Sequence, residues 1–196
     1  MATSARHRAR SFAPLPVRAH PLVLGVVLFL ASELMFFAAL FAAYYALRAN
    51  RAQWPPAGVH LNPLEAGFGT FLLFAASLVM VLATKAMDRQ KWRAARWWTF
   101  SAIVAAVGFV LVALHGYSDD TFGISTNAYG SIYYTMTGFH LLHVIAGIAI
   151  LAALLVGMRS RALQVNQRAG AEAMTYYWHF VFVVWVGIFA TIYFVR

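Results

Sequence analysis

The chain reads as an all-α, polytopic membrane protein, a bundle of five transmembrane helices. Three observations predict this. Hydrophobic residues make up 62% of the 196 residues and charged residues only 11%, with a mean hydropathy of +0.70. Soluble domains sit nearer about 45–50% and 25%. The apolar residues also gather into five runs, each close to the roughly 20 residues that cross a hydrocarbon core. Finally, the Lys and Arg residues lie in the gaps between these runs and favour alternate gaps.

The elements follow in order. Residues 1–21 are polar and basic, with Arg6, Arg8, Arg10 and Arg18, and read as a cytoplasmic N-terminal segment. The first helix is predicted over about 22–47. Its apolar run exceeds the roughly 7–15 residues of a signal-peptide core and is interrupted by Glu33, so it reads as a permanent helix. The second helix, about 64–83, starts at "LNPLE" (61–65). Asn62 suits the N-cap, Pro63 the first helical position, and Glu65 the place from which a side chain can return a hydrogen bond to the cap. The third helix is predicted over about 97–114, the fourth over about 132–158 and the fifth over about 173–195. The connections are short, so 22–196 forms one transmembrane domain. Trp54, Trp92, Trp97, Trp98 and the Tyr176–Tyr177–Trp178 cluster fall near predicted helix ends, where amphipathic rings settle at a membrane interface.

Twelve of the fifteen Lys and Arg residues precede helix one, join helices two and three, or join helices four and five. The connection between helices three and four has Asp119 and Asp120 and no Lys or Arg. This positive-inside pattern predicts a cytoplasmic N-terminus and an outer C-terminus. The net charge of +9 is therefore topological, with some attraction to anionic lipid heads, and does not point to nucleic acid. The absence of cysteine excludes disulfides, thiolate metal sites and thiol nucleophiles.

Four ionisable residues lie well inside predicted spans: Glu33, His140, His143 and His179. Such groups are costly in lipid and normally face other helices. Glu33 shares a helical face with Phe36, Phe37 and Tyr44. His140 and His143 are three residues apart on one stripe. Gly147 continues that stripe and lets a neighbour approach. His179 shares its face with Phe182, Val183 and Val186. One carboxylate and three imidazoles in a bundle are compatible with zinc, iron, copper or haem ligation. They are also compatible with plain interhelical hydrogen bonds, and the residues alone favour that reading. A di-iron centre needs about four carboxylates and paired Glu-x-x-His motifs, which are missing. A transporter is a third possibility, but neither inverted repeats nor broken mid-membrane helices are visible.

Four stretches carry a family resemblance: "SELMFFAALFAAYY" (32–45), "WPP" with "LN" (54–56, 61–62), "AYGSIYYTMTGFHLLHVIAG" (128–147) and "YYWHFVFVVWVGIFATIYFVR" (176–196). From Leu22 onward the chain resembles cytochrome c oxidase subunit III, in its short five-helix bacterial form. The resemblance implies a non-catalytic subunit of a proton-pumping haem–copper terminal oxidase that reduces O₂ to water in the bacterial plasma (inner) membrane. It implies no catalytic, cofactor-binding or metal-binding residue in this chain, with haem and copper held by partner subunits. Implied partners are the catalytic subunit I, subunit II, possible small subunits or a respiratory supercomplex, and phospholipids. The implied roles are to stabilise the catalytic subunit, bind structural lipids and support proton uptake. Glu33 falls at the family's membrane-buried glutamate, His140 and His143 at its "FHxxHV" pair, and His179 at the histidine of "YWHF". All four are thereby implied to be buried polar residues with structural or proton-linked roles. Glu33, Phe36, Phe37 and Tyr44 are expected to line a lipid crevice.

Two departures thin the expected polar network. The family commonly reads "YWHFVDxVW", whereas Phe182 stands at the acid. Its third helix commonly ends near "GQxYEY", whereas "ALHGYSD" places His115 and Ser118 there. A quinol oxidase third subunit or a nitric-oxide-reductase-associated subunit is the alternative within the same superfamily. From another class, the alternative is a free-standing haem or metal-binding membrane protein using His140, His143 and His179.

Overall fold

The computed structural model describes residues 21–159 and 164–195. The basic N-terminal segment therefore lies outside the described residues, apart from Pro21. Five helices follow one another: α1 Pro21–Ala49, α2 Pro63–Asp88, α3 Trp92–Asp119, α4 Ala128–Gly157 and α5 Gln164–Tyr193. All five contain segments long and apolar enough to cross a membrane, and the described residues contain no strand.

Every helix starts before its predicted span, and α1, α2 and α3 also end after it, whereas α4 and α5 end one or two residues short of it. Hydropathy marks the stretch inside the bilayer, whereas backbone capping decides where a helix stops. Asn62 caps α2 by accepting from the N–H groups of Leu64 (3.1 Å) and Glu65 (3.4 Å), with Pro63 in the first turn. Asn127 caps α4 through the N–H of Gly130 (2.8 Å). The α2–α3 turn is tight. Gln90, at φ 57°, reverses the chain, while Gln90 N donates to Met87 O and Lys91 N to Ala86 O. That is the double hydrogen bond of a Schellman ending, with glutamine where glycine is usual.

The helices do not pack as a symmetric ring. α5 lies against α1, α2 and α4, α3 packs between α2 and α4, and α1 touches only α4 and α5. The α2–α3 seam is built on small residues. Ala76, Ala83 and Ala86 are buried on α2, and Ala95, Ala102 and Ala106 on α3. Close helix approach of this kind is what drives association in lipid, where burial of apolar surface adds little. On α1 the buried residues are Val23, Leu30, Phe37 and Tyr44, a strict seven-residue repeat that presents one narrow edge. Most of its remaining surface is open, including Leu24, Leu28, Leu34 and Met35.

Hydrogen bonds cross these seams at intervals. Thr84 Oγ1 lies 2.9 Å from Thr175 Oγ1, between α2 and α5. Trp185 Nε1 donates to Thr70 Oγ1 at 2.8 Å, also between α5 and α2. Tyr44 Oη donates to Thr191 O at 3.3 Å, between α1 and α5. Tyr177 and Trp178 are core residues rather than interface anchors, because α5 begins well before residue 173 and carries them into the bundle.

Candidate functional site

The candidate site lies at the mid-membrane seam of α1 and α4. Glu33 Oε2 sits 3.0 Å from His143 Nε2. The other ring nitrogen, Nδ1, lies 2.7 Å from Phe139 O, one turn back on α4. A carbonyl oxygen only accepts, so Nδ1 carries a hydrogen. The Nε2–Oε2 contact then has two forms. Either a protonated Glu33 donates to a neutral imidazole, or an imidazolium donates to a carboxylate. Both forms are neutral as a pair and hold one proton between the two side chains. An ionised Glu33 facing the lone pair of a neutral His143 has no hydrogen bond across the seam.

Aromatic rings frame this pair. Phe37 meets the His143 ring at 5.2 Å between centroids, edge to face. Phe36 meets Phe139 at 4.9 Å in the same manner. Tyr177 Oη donates to His143 O at 2.7 Å and so ties α5 to the same turn of α4. The pair is only partly shielded: the Glu33 and His143 side chains are 21% and 12% exposed. Phe36 and Phe139 stand beside it on the open surface.

The expected crevice wall is split. Phe37 and Tyr44 follow the inward seven-residue stripe and are each 1% exposed, whereas Phe36 faces outward and Glu33 sits at the border. The nearly 100° between successive helical residues puts Phe36 and Phe37 on different sides of that border.

The three histidines are not brought to one point. His140 is 1% exposed, with its ring stacked on Trp185 at 5.0 Å and edge-on to Phe109 at 5.7 Å. Neither of its nitrogens has a hydrogen-bond partner among the described residues. It is an imidazole in an aromatic slot. His179 differs from the inward placement expected for it. It is exposed on α5, and its Nδ1–H donates to Thr175 O at 2.7 Å on its own helix. Val183 and Val186 of the expected inward face are also exposed. The inward stripe of α5 runs instead through Tyr177, Trp178, Val181, Trp185 and Ile188, whose bulk outweighs a single polar ring in choosing the packed side. Phe182, at the place of a family acid, meets Phe74 of α2 at 5.4 Å. A common ligand set of His140, His143 and His179 is therefore not formed.

Polar residues that the sequence reading did not single out cluster at the end of the bundle where α2 and α4 start. Tyr117 Oη donates to Thr137 Oγ1 at 2.7 Å, and Thr137 Oγ1 to Tyr133 O at 2.7 Å. Tyr134 Oη donates to Phe122 O at 2.9 Å and lies 3.3 Å from Asp120 Oδ2. Burial pushes the Asp120 carboxyl above the usual aspartate range, and the nearby Glu65 and Asp119 charges add to that, against the opposing tyrosine hydrogen bonds. Glu65 does not close a capping box. Its carboxylate turns to His115, with Oε1 3.1 Å from Nδ1. The dense tyrosines of "AYGSIYY" are the signal that points to this end.

Five helices long and apolar enough to cross a membrane, with a half-buried acid–histidine pair that joins α1 to α4, define a multi-pass membrane protein. The profile of the family described as Cytochrome c oxidase subunit III matches residues 15–196. The chain is 40% identical over 178 residues to the "Probable cytochrome c oxidase subunit 3" of Nocardia farcinica, covering 88% of this chain and 87% of that one. It is 35% identical over 178 residues to the "Cytochrome c oxidase subunit 3" of Corynebacterium diphtheriae, with the same coverage. Against the protein of that name from Thermostichus vulcanus it is 35% identical over 174 residues, covering 87% and 86%. The chain belongs to the cytochrome c oxidase subunit III family, and its role is that of subunit III in a haem–copper oxidase.

Proposed function

We propose that this chain is the non-catalytic partner of the redox subunits in a proton-pumping cytochrome c oxidase of a bacterial plasma membrane. Haem and copper belong to subunits I and II. The chain stabilises the catalytic subunit, holds phospholipid along its open α1 surface and supports proton uptake. The observation that carries this reading is the Glu33–His143 pair. Both ring nitrogens of His143 are engaged by Glu33 and Phe139 O, so this pair serves helix assembly and proton sharing rather than metal ligation. The long exposed apolar surface of α1 supports the lipid and subunit contacts.

A tag on this chain tests it. The tagged complex, isolated in mild detergent, is expected to carry haem and copper and to reduce O₂. The chain separated from its partners is expected to lack a Soret band. A stoichiometric haem on the separated chain, or a tagged complex free of redox centres, overturns the proposal. Lipid access has its own check. A hydrophobic carbodiimide is expected to modify Glu33 in preference to Glu65 and Glu172, and an unmodified Glu33 contradicts an open lipid face.

A further inference from the structure

A second cluster of ionisable groups lies far from Glu33 in the fold, where α2 starts and α3 ends. His115 Nδ1 is 3.1 Å from Glu65 Oε1 and 3.4 Å from Asp119 Oδ2. One ligand atom from each of the three residues lies within 4.8 Å of the other two. This is the one group of three His, Asp or Glu side chains that converges in this way among the described residues. We propose that Glu65, His115 and Asp119 form a binding site for a first-row divalent transition cation such as Zn²⁺.

The spacing fits the chemistry. With zinc–nitrogen and zinc–oxygen bonds of about 2.0–2.1 Å, the edges of a tetrahedral site are about 3.3 Å. Two of the three edges already have that length. One imidazole and two carboxylates give three protein ligands and leave a fourth position for water. Magnesium and calcium prefer six or more oxygen ligands, and an imidazole is foreign to such sites.

The backbone that carries the ligands is also fixed. The Asn62 cap fixes the turn that carries Glu65. His115 and Asp119 are one turn apart on the last turns of α3, so both point to one side. Gly116 leaves room beside them: a Cβ there would come 3.8 Å from Glu65 Oε1. The negative end of the α3 dipole favours a cation at this point. Glu65 and Asp119 also line an adjoining cavity of about 120 Å³, together with Asp120 and His60. Among the described residues that line it there is no Lys or Arg. The rival arrangement is a protonated His115 bridging the two acids without metal.

The test uses the intact complex isolated through a tag on this chain, stripped with chelator and dialysed against Zn²⁺. Bound zinc is measured per copy of this chain. The wild type is expected to bind one zinc more than His115→Gln or Asp119→Asn. Glu65→Gln is expected to weaken that zinc at least tenfold, and excess Mg²⁺ or Ca²⁺ is expected not to displace it. Equal zinc content in wild type and His115→Gln overturns the site. Because a variant could lose its place in the complex, zinc-edge anomalous scattering from the wild type gives a second reading. Density among the three side chains supports the site, and its absence there at saturating zinc overturns it.

Discussion

Glu33 on α1 and His143 on α4 meet at 3.0 Å, and the imidazole is committed at its other nitrogen to Phe139 O. The two side chains therefore act as one unit with a single proton to place. Removing either member leaves a polar group in an apolar setting, whereas removing both leaves none.

Four variants resolve this unit. Glu33→Gln keeps a donor for His143 Nε2 and is expected to lower the thermal midpoint least. His143→Leu strands the carboxyl and is expected to lower it most. Glu33→Leu with His143→Leu is expected to recover part of that loss, with a coupling of about 0.6 kcal/mol and at most about 1.7 kcal/mol. Strict additivity of the Glu33→Leu and His143→Leu effects would contradict a shared proton.

His140 and His179, both expected to face inward, differ: His140 is enclosed and His179 is exposed. His140→Phe keeps the stacked slot beside Trp185 and removes two unpartnered nitrogens, so stability is expected to hold or rise. His140→Ala opens a cavity and is expected to cost about 2–5 kcal/mol. His179→Ala, on the open side of α5, is expected to stay within about 0.5 kcal/mol in the isolated chain. Denaturation of the chain in detergent checks all three. A His140→Phe variant well below the wild type would reveal a polar partner at that ring.

Gly147 lies where α5 rings press on α4. A Cβ there would meet Tyr177 Cε1 at 2.9 Å and Trp178 Cζ2 at 3.0 Å, and both rings are locked in the core. Gly147→Ala is therefore expected to destabilise by about 1–3 kcal/mol. Gly138 has nothing within 4 Å of the same position. Gly138→Ala is expected to gain up to about 1 kcal/mol of helix preference. Equal effects at the two sites would refute the close contact.

Asp120 gives a pH dependence of known sign. Its carboxyl is raised in the folded chain, first by burial. The folded state thus favours the protonated acid. The associated stability is present below the ordinary aspartate range, near about pH 4, and is lost as pH rises through the raised value. Asp120→Asn is expected to remove this loss. Denaturation midpoints of wild type and variant should converge at low pH and separate, with the variant higher, toward neutrality. A wild type that gains on the variant as pH rises reverses the sign.

The membrane helices were legible because five apolar runs have no other economical use in water or lipid. The start of α2 was legible in Asn62 and Pro63, since capping is a local act. The far end of α2 was not. Hydropathy reads the bilayer, so it stopped at Ala83 while hydrogen bonding carried α2 on to Asp88. The edge of α1 is present in the sequence as Val23, Leu30, Phe37 and Tyr44, whereas Glu33 and Phe36, one turn apart, lie at its border and outside it. Partner choice was the least legible layer. Glu65 lies 50 residues from His115, and Glu33 lies 110 from His143. No local rule chooses between His140 and His143 as the partner of Glu33, because only the placement of Trp185 and Phe109 on other helices decides which ring is enclosed.

The contacts of α1 with only α4 and α5 set an order problem for biogenesis. The ribosome makes α1 before any helix it touches, and the partner of Glu33 emerges 110 residues later. At about 5–20 residues per second that is a wait of roughly 5–20 s. Throughout it, the nascent first span holds a carboxyl without its imidazole, at an insertion cost of up to about 2.5–3.5 kcal/mol if charged. A chain arrested after α3 thus carries Glu33 without its imidazole, and the α1 seam can close only once α4 has been threaded.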